Sequence, residues 1–595
     1  MSIARRTSSV WLLVSMITAA SYGSHSSFAA FAPARPKLAE SLASEGWAFA
    51  FQGDGTAGQV GSDRLFNAAQ EARNWLIYSG GYFSNRYSGL TQITPANVKN
   101  LEMKWMYQAA VAGGWQVTPL VVDGIMYFTQ RPNDVVALDA KTGRVFWIYR
   151  HTLAPNQIVC CGANNRGLAI LGDTLFMGTL DAHLVAIDAK SGHPIWNTEV
   201  GDSKAGYSLT LAPLVVKDKV IVGVGGGEFG IRGFVAAYDA RTGREVWRFY
   251  TIPGPGEPGS DTWKTCPERS DTFCDPEAWK HGGGSVWVTG SFDPDLNLTY
   301  WGIGNAGPDW YADQRPGDNL YTDSVVALDA DSGRLKWHYQ FTPHDRYDYD
   351  SVQVPILADL TWNGAPLKAM LWANRNGNFY VLERETGKFL VGQPFVKVNW
   401  MSHFDERGRP VQTPQPPGQP TWPGNQGGTN WYSPSFSPRT GLLYVPAWEN
   451  YATIFGGVPV EYKEGRNFGG GANRPYVPVP GAPSPGLRRG PINNWTEAAA
   501  SGAILALDAT TGKLKWRFEM TDVTDSGILT TASDLLFTGG REGYFQALDA
   551  RTGSLLWKAN LGAQIVNGPI TYEVDGKQHV ATIAGLSLCV FALRD

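Results

Sequence analysis

The chain has 595 residues, more than twice the roughly 250 residues at which single hydrophobic cores stop growing, so a repeat or several domains must carry it. Charged residues make up only 17% of it and the formal net charge is −4, with no basic stripe, which argues against nucleic acid as a partner. Its 69 Gly and 23 Trp suit a chain of many turns and large strand-packing aromatics.

Arg5 and Arg6 precede the apolar run Val10-Trp11-Leu12-Leu13-Val14-Ser15-Met16-Ile17, and Ser27-Phe28-Ala29 before Ala30 is a small-residue cleavage site. A basic start, a short apolar core and a small-residue end predict a signal peptide over 1–29. The apolar run is too short to span a bilayer comfortably. No later segment reads as transmembrane. The mature chain, 30–595, is therefore expected to be exported without a membrane anchor. Residues 31–75 read as irregular, with helical character around Ala68 to Trp75. Tyr82 to Leu90 is a polar and aromatic lead-in. Leu101 to Tyr107 reads as a strand without a preceding turn, and it is expected to close a ring with the last unit of the repeat that follows.

That repeat first appears as Val136-Ala137-Leu138-Asp139-Ala140-Lys141-Thr142-Gly143 leading to Trp147. It returns at Asp188, Asp239, Asp329, Asp508 and Asp549, always with Gly four residues and Trp eight residues after the Asp. A degenerate seventh copy carries Glu383 and Gly387, and Ser437-Pro438-Arg439-Thr440-Gly441 reads as an eighth. Each copy predicts a strand, a tight turn and a second strand: the apolar run has strand composition, Asp bonds its own backbone, and Gly accepts positive φ. A period of roughly 40 to 55 residues is that of a four-stranded propeller blade. One blade cannot bury both faces, whereas a ring of blades buries them and protects the edge strands. The expected fold is all-β, an eight-bladed propeller of four-stranded antiparallel blades with inserted loops.

Two insertions interrupt the pattern, a Pro/Gly/Cys-rich one at about 252–281 and a Gly/Pro/Asn-rich one at about 449–500. Long insertions in a compact domain often serve as lids or entrance loops. Export makes disulfides the default for cysteine. Cys266 and Cys274 are expected to close a small loop in the first insertion. Cys160 and Cys161 are adjacent, and by themselves read equally well as a bonded pair or as two buried thiols. No Cys-x-x-Cys-His occurs, so no c-type haem is expected on this chain.

Gly225-Gly226-Gly227-Glu228-Phe229-Gly230 satisfies the dinucleotide-binding G-x-G-x-x-G and follows a strand. That site needs a helix next, to offer its N-terminus to a pyrophosphate. A strand-like run, Ile231 to Tyr238, follows instead, so the reading is rejected. The glycines more simply let the backbone approach something closely, with Glu228 in their midst, or leave Glu228 as a solvated turn residue. The densest acidic cluster is Thr342-Pro343-His344-Asp345-Arg346-Tyr347-Asp348-Tyr349-Asp350. Extended backbone there would put Asp348 and Asp350 on one face, a pairing suited to a hard cation or a general base. A charged surface loop is the alternative.

The repeated Ala-x-Asp-Ala-x-Thr-Gly-x-x-x-Trp phrase, the adjacent cysteines and the Thr-Pro-His-Asp-x-x-Asp-Tyr of residues 342–349 together resemble the type I quinoprotein alcohol dehydrogenases. This soluble family uses pyrroloquinoline quinone (PQQ) and includes methanol dehydrogenase. The resemblance covers essentially all of the mature chain, and it implies an eight-bladed propeller with PQQ on its axis. Position by position, it implies a Cys160–Cys161 disulfide over one face of the quinone and Trp287 stacked beneath it. Arg166 would meet a cofactor carboxylate, with Thr210, the backbone of Gly227, Asn430 and Trp431 as further contacts. Arg375 would lie beside the reactive carbonyls. Glu228, Asn305 and Asp348 would hold a metal, and Asp348 would also be the catalytic base.

Asp350 stands where members resembling calcium enzymes hold Ala or Ser and those resembling lanthanide enzymes hold Asp. A further carboxylate raises the negative charge and oxygen count at a metal, which favours a lanthanide over calcium. Two positions depart from the family pattern: Gln116 stands where many members carry Glu, and Gly225 replaces a hydroxyl residue. The implied activity is periplasmic oxidation of a small alcohol to an aldehyde or ketone, by metal-assisted hydride transfer to PQQ. A separate soluble cytochrome c is the expected electron acceptor, and association into a homodimer is left open. The same fold acting with calcium on a polyol, sugar or polymer alcohol, or as a non-catalytic scaffold, are the competing expectations.

Overall fold

A computed structural model describes residues 59–111, 115–155, 157–264, 273–476 and 500–595. The expected signal peptide, Cys266 and residues 477–499 of the second insertion lie outside them. Within them, the strands form eight sheets, seven of four strands and one of five, together with two two-stranded ribbons. The blades span 120–150, 169–199, 214–250, 291–340, 356–394, 435–520, 529–560 and 570–593, the last completed by Leu101–Gln108. This is the eight-bladed antiparallel propeller the repeat predicts. Leu101–Gln108 pairs antiparallel with Ser587–Leu593, so the two ends of the propeller segment close the ring, as expected.

The spacing of the repeat has a physical explanation. Asp139 Oδ1 accepts the backbone N–H groups of Lys141 and Thr142 at 2.8 and 2.9 Å, which fixes the turn, and Gly143 takes φ 76°. Trp147 then reaches the next blade. Its indole N–H donates to the Ala189 carbonyl at 3.2 Å, and its ring covers Gly192, where a Cβ would come within 2.6 Å. The same bond joins Trp105 to Ala140, Trp196 to Ala240, Trp247 to Ala330, Trp337 to Arg384 and Trp516 to Ala550. Gly is thus required twice over, by its positive φ and by the neighbouring blade's Trp. At the last interface Trp557 packs edge-on against Phe591 instead, with centroids 5.4 Å apart.

Antiparallel alternation sorts the loops by end. Turns after the first and third strands of a blade, including every Asp–Gly turn, fall at one end of the propeller. Turns after the second strand, and all blade-to-blade connections, fall at the other end. Every residue expected in the site lies on loops of this second end.

The segment before the first blade differs from the expected helix over 68–75. The helix is Ser62–Phe66, and Trp75 forms an antiparallel bridge with Val121 of the first blade. Pairing with a blade outweighs the helical propensity of the sequence. The lead-in that follows is a strap across first strands. The carbonyls of Tyr82, Phe83, Asn85 and Arg86 accept from Phe292, Leu357, Phe436 and Thr530, in four consecutive blades. Arg86 is fully buried and donates to the carbonyls of Ile528 and Pro569.

In the second insertion Thr453–Gly457 pairs with Gly471–Pro475. A further ribbon, Met401–Phe404 with Pro410–Gln412, has no counterpart in the sequence reading. Cys274 is disulfide-bonded, and Cys589 is buried and free.

Candidate active site

A cavity of about 150 Å³ opens among the connection loops. Gln116, Cys160, Cys161, Arg166, Thr210, Glu228, Trp287, Asp348, Asp350, Arg375, Asn430 and Trp431 line it, drawn from connections or second-strand turns of successive blades. Gly227 and Asn305 stand directly behind its wall. A Cβ on Gly227 would lie 3.9 Å from Asn305 Oδ1, and the Asn305 backbone N–H donates to Asp350 Oδ1 at 3.0 Å. Residues up to 315 positions apart in sequence, Gln116 to Trp431, are thus brought to one place (431 − 116).

Cys160 and Cys161 are disulfide-bonded, which resolves the alternative left by the residues alone. Their sulfurs, though near Glu228, are therefore not thiolate ligands: Cys161 Sγ is in contact with Glu228 Oε1 at 3.8 Å. Across the cavity wall, Arg166 Nη1 donates to Thr210 Oγ1 at 3.1 Å and to the Trp287 carbonyl at 3.2 Å. The guanidinium carbon lies 4.8 and 4.9 Å from the ring centroids of Trp287 and Trp431. This is a rigid cationic corner framed by aromatic faces.

Asp348 and Asp350 do converge, but not by strand alternation. Asp348 has φ 60°, so the backbone turns there, and the two carboxylates meet on Arg375. Arg375 Nη2 donates to Asp348 Oδ2 at 2.9 Å, and Nη1 to Asp350 Oδ2 at 2.6 Å. Arg375 is itself held from behind, by its Nε–H donating to the Asn425 carbonyl at 2.7 Å. Glu228 sits in the turn between Lys219–Gly223 and Phe234–Asp239. Gly226 takes φ 116°, and a Cβ there would strike the Gly206 carbonyl at 2.1 Å. The second insertion closes on this turn, with the Phe468 N–H donating to the Glu228 carbonyl at 2.7 Å.

Burial, then the nearby charge of Asp350, pushes the Glu228 carboxyl up to about 7. Asp348 is raised well above the usual carboxylate range by burial, which with the charges of Asp350, Asp309 and Glu228 outweighs the opposing pull of Arg375. Carboxyls that raise one another are what a multivalent cation relieves, and oxygen donors of this kind suit a hard ion. Asp309 belongs to this group and is absent from the sequence reading. Burial, then the charge of Glu228, raises it too, and its Oδ1 accepts from Asn305 Nδ2 at 3.0 Å. A signal for it exists in the sequence, since Asp309 follows Asn305 by four residues in the turn Asn305-Ala306-Gly307-Pro308-Asp309. Ser208, Ser285, Asn164 and Gln426 also line the cavity, and nothing in composition or spacing marks them.

The residues fit a flat polyanionic cofactor with a cation. The Gln116 Oε1 and Trp431 Nε1 atoms are buried without a hydrogen-bond partner among the described residues, so both are polar atoms that something in the cavity should satisfy. Gly225, which replaces the hydroxyl residue of the family pattern, lies close to Ser208: a Cβ there would stand only 3.1 Å from the Ser208 hydroxyl oxygen.

Residues 75–420 match the family described as PQQ glucose/ethanol/alcohol dehydrogenase, beta-propeller domain. Residues 500–591 match the outer membrane protein assembly factor BamB, which covers the last clear repeats. Quinohemoprotein alcohol dehydrogenase ADH IIB of Pseudomonas putida is 39% identical over 538 residues, spanning 87% of this chain and 74% of that protein. The lanthanide-dependent methanol dehydrogenase of Methylacidiphilum fumariolicum is 37% identical over 555 residues, spanning 88% of this chain and 87% of that one. Among solved structures, a europium-containing methanol dehydrogenase superposes with a TM-score of 0.80 at 35% identity, covering 89% of this chain and all of that one.

Proposed function

The chain belongs to the PQQ-dependent alcohol dehydrogenases, and on that footing we propose that it oxidises a small alcohol in the periplasm with PQQ and a lanthanide ion. The observation that carries this is the convergence of Asp348 and Asp350 on Arg375, in one cavity with Glu228 and the Cys160–Cys161 disulfide. PQQ bound there would supply a two-electron acceptor, and Glu228, Asn305, Asp348 and Asp350 would hold a metal ion supplying Lewis-acid chemistry.

The residues of the chain do the rest. Asp348 takes the hydroxyl proton of the alcohol as general base, in the ionised form that a bound cation and Arg375 favour. Arg375 orients that carboxylate through its 2.9 Å bond and offers positive charge where oxygen charge grows. Arg166 meets a carboxylate of the cofactor, with Thr210, Asn430, Gln116 and the Gly227 backbone as polar contacts. Trp287, Trp431 and the disulfide exclude water from the cofactor faces.

Asp350 favours the trivalent ion by adding a carboxylate beside Asp348. The periplasmic placement rests on the signal-like start of the sequence. Among the described residues no helix is long and apolar enough to cross a membrane. A soluble cytochrome c takes the electrons, a reading supported by the name of a 37% identical relative, 1-butanol dehydrogenase (cytochrome c) of Thauera butanivorans.

Reconstituting the metal-free protein with PQQ and either La³⁺ or Ca²⁺, then assaying a panel of primary alcohols, polyols and sugars with an artificial electron acceptor, tests this. Turnover of primary alcohols with La³⁺ well above that with Ca²⁺ is the expected outcome. Turnover confined to polyols or sugars, or equal with both ions, contradicts it.

A further inference from the structure

We propose that Asp309 is a positioning residue of the metal site: it turns the Asn305 amide so that oxygen faces the cation, and its charge biases the site toward a trivalent ion. This rests on the metal-site reading above. The two ends of an Asn side chain are nearly the same shape, so hydrogen bonds decide which end faces a ligand. A carboxylate that a neighbouring cation keeps ionised only accepts. Asp309 Oδ1 receives Asn305 Nδ2 at 3.0 Å, and the Ala306 carbonyl receives the same nitrogen at 3.4 Å. The amide nitrogen is therefore held away from the cavity. Asn305 Oδ1 is left on the side of Gly227, on the turn that carries Glu228.

Such partners of a ligand are what set its orientation and tune the ion. Asp309 is only 6% exposed, so its charge acts through little water. It adds a carboxylate to Glu228, Asp348 and Asp350, and a trivalent ion gains half as much again from it as a divalent one. The second insertion fixes it from the far side. The Trp310 N–H donates to the Gly469 carbonyl at 2.9 Å, and a Cβ on Gly469 would stand 3.5 Å from Asp309 Oδ2.

The test uses the full chain with its quinone, stripped of metal by chelation. Tb³⁺ binding is read by luminescence sensitised through protein tryptophan, Ca²⁺ binding by competition, and coordinated waters by Eu³⁺ lifetimes in H₂O and D₂O. D309N keeps an acceptor for Asn305 and loses the charge, so Tb³⁺ affinity should fall about tenfold and Ca²⁺ affinity by less. D309A loses both, so both ions should weaken and Eu³⁺ should gain a coordinated water where Asn305 Oδ1 had been. If both variants bind like the wild type while E228Q has lost the metal, Asp309 has no such role. If E228Q also binds like the wild type, the metal-site reading itself fails, and this proposal with it.

Discussion

The two ends of the propeller use the same residue types for opposite ends. At the Asp–Gly turns the carboxylates are satisfied and shallow. Asp508 is an example: burial raises it, but hydrogen bonds from Thr510, Lys515 and Thr511 bring it down to about 2. At the cavity the carboxylates are enclosed, crowd one another and share Arg375, and Glu228 is pushed up to about 7. The first arrangement lowers the energy of the folded chain by itself. The second stores electrostatic repulsion that a bound cation would release. The tryptophans divide in the same way. Trp147 at the turn end makes an inter-blade hydrogen bond, whereas the buried Trp431 N–H at the cavity end has no acceptor among the described residues.

That contrast can be broken in order of expected effect. D348N should lower alcohol turnover by about 10²–10⁴-fold, in protein shown by absorbance and metal analysis to retain its quinone and ion, with the unfolding midpoint unchanged or raised. Retained turnover would remove Asp348 from the chemistry. At the other end, W247A should cost about 3–5 kcal/mol in denaturant unfolding, because a ring 8% exposed and bonded to Ala330 leaves a hole between two blades. The folded fraction should keep its turnover per active site.

G333A should be milder, about 1–3 kcal/mol by the same assay. Its φ is 68° and the new Cβ would meet Trp247 at 2.4 Å. D139A removes an acceptor from two turn N–H groups and should cost about 1 kcal/mol, with no change in metal binding.

The pH dependence sharpens the contrast further. A carboxyl raised in the folded state binds its proton more tightly than in the unfolded chain. Glu228 therefore makes the metal-free protein lose stability as pH rises from about 4.5 to about 7. E228Q should flatten that slope in thermal unfolding across this range, and an undiminished slope would assign it to other groups.

The fold was legible because its information is repeated. One Asp–Gly–Trp spacing encodes a turn, a strand and a seat for the neighbouring ring, and ring closure by Leu101–Gln108 followed from a strand that lacked its turn. The site was legible mainly through motifs that resemble a family, since its residues are scattered over nine connections and turns. Where local geometry alone was used, it misled. Asp348 and Asp350 share Arg375 through a left-handed residue rather than an extended strand, and the helix near Ala68 gave way to a bridge at Trp75. Asp309 escaped notice because its partner is an amide four residues away in a turn, a contact that no periodicity announces. The strap from Tyr82 to Arg86 escaped for a similar reason: its bonds go to four different blades.

The cavity at the connection end is expected to hold a quinone and a cation together. The direct measurement is the PQQ and metal content of the purified full chain, by absorbance and elemental mass spectrometry, for the wild type and for E228A. One quinone and one ion per chain are expected in the wild type, and loss of the ion in E228A with the propeller's unfolding transition intact. A wild type that takes up neither when both are supplied, or an E228A protein that holds the ion as tightly, would contradict it.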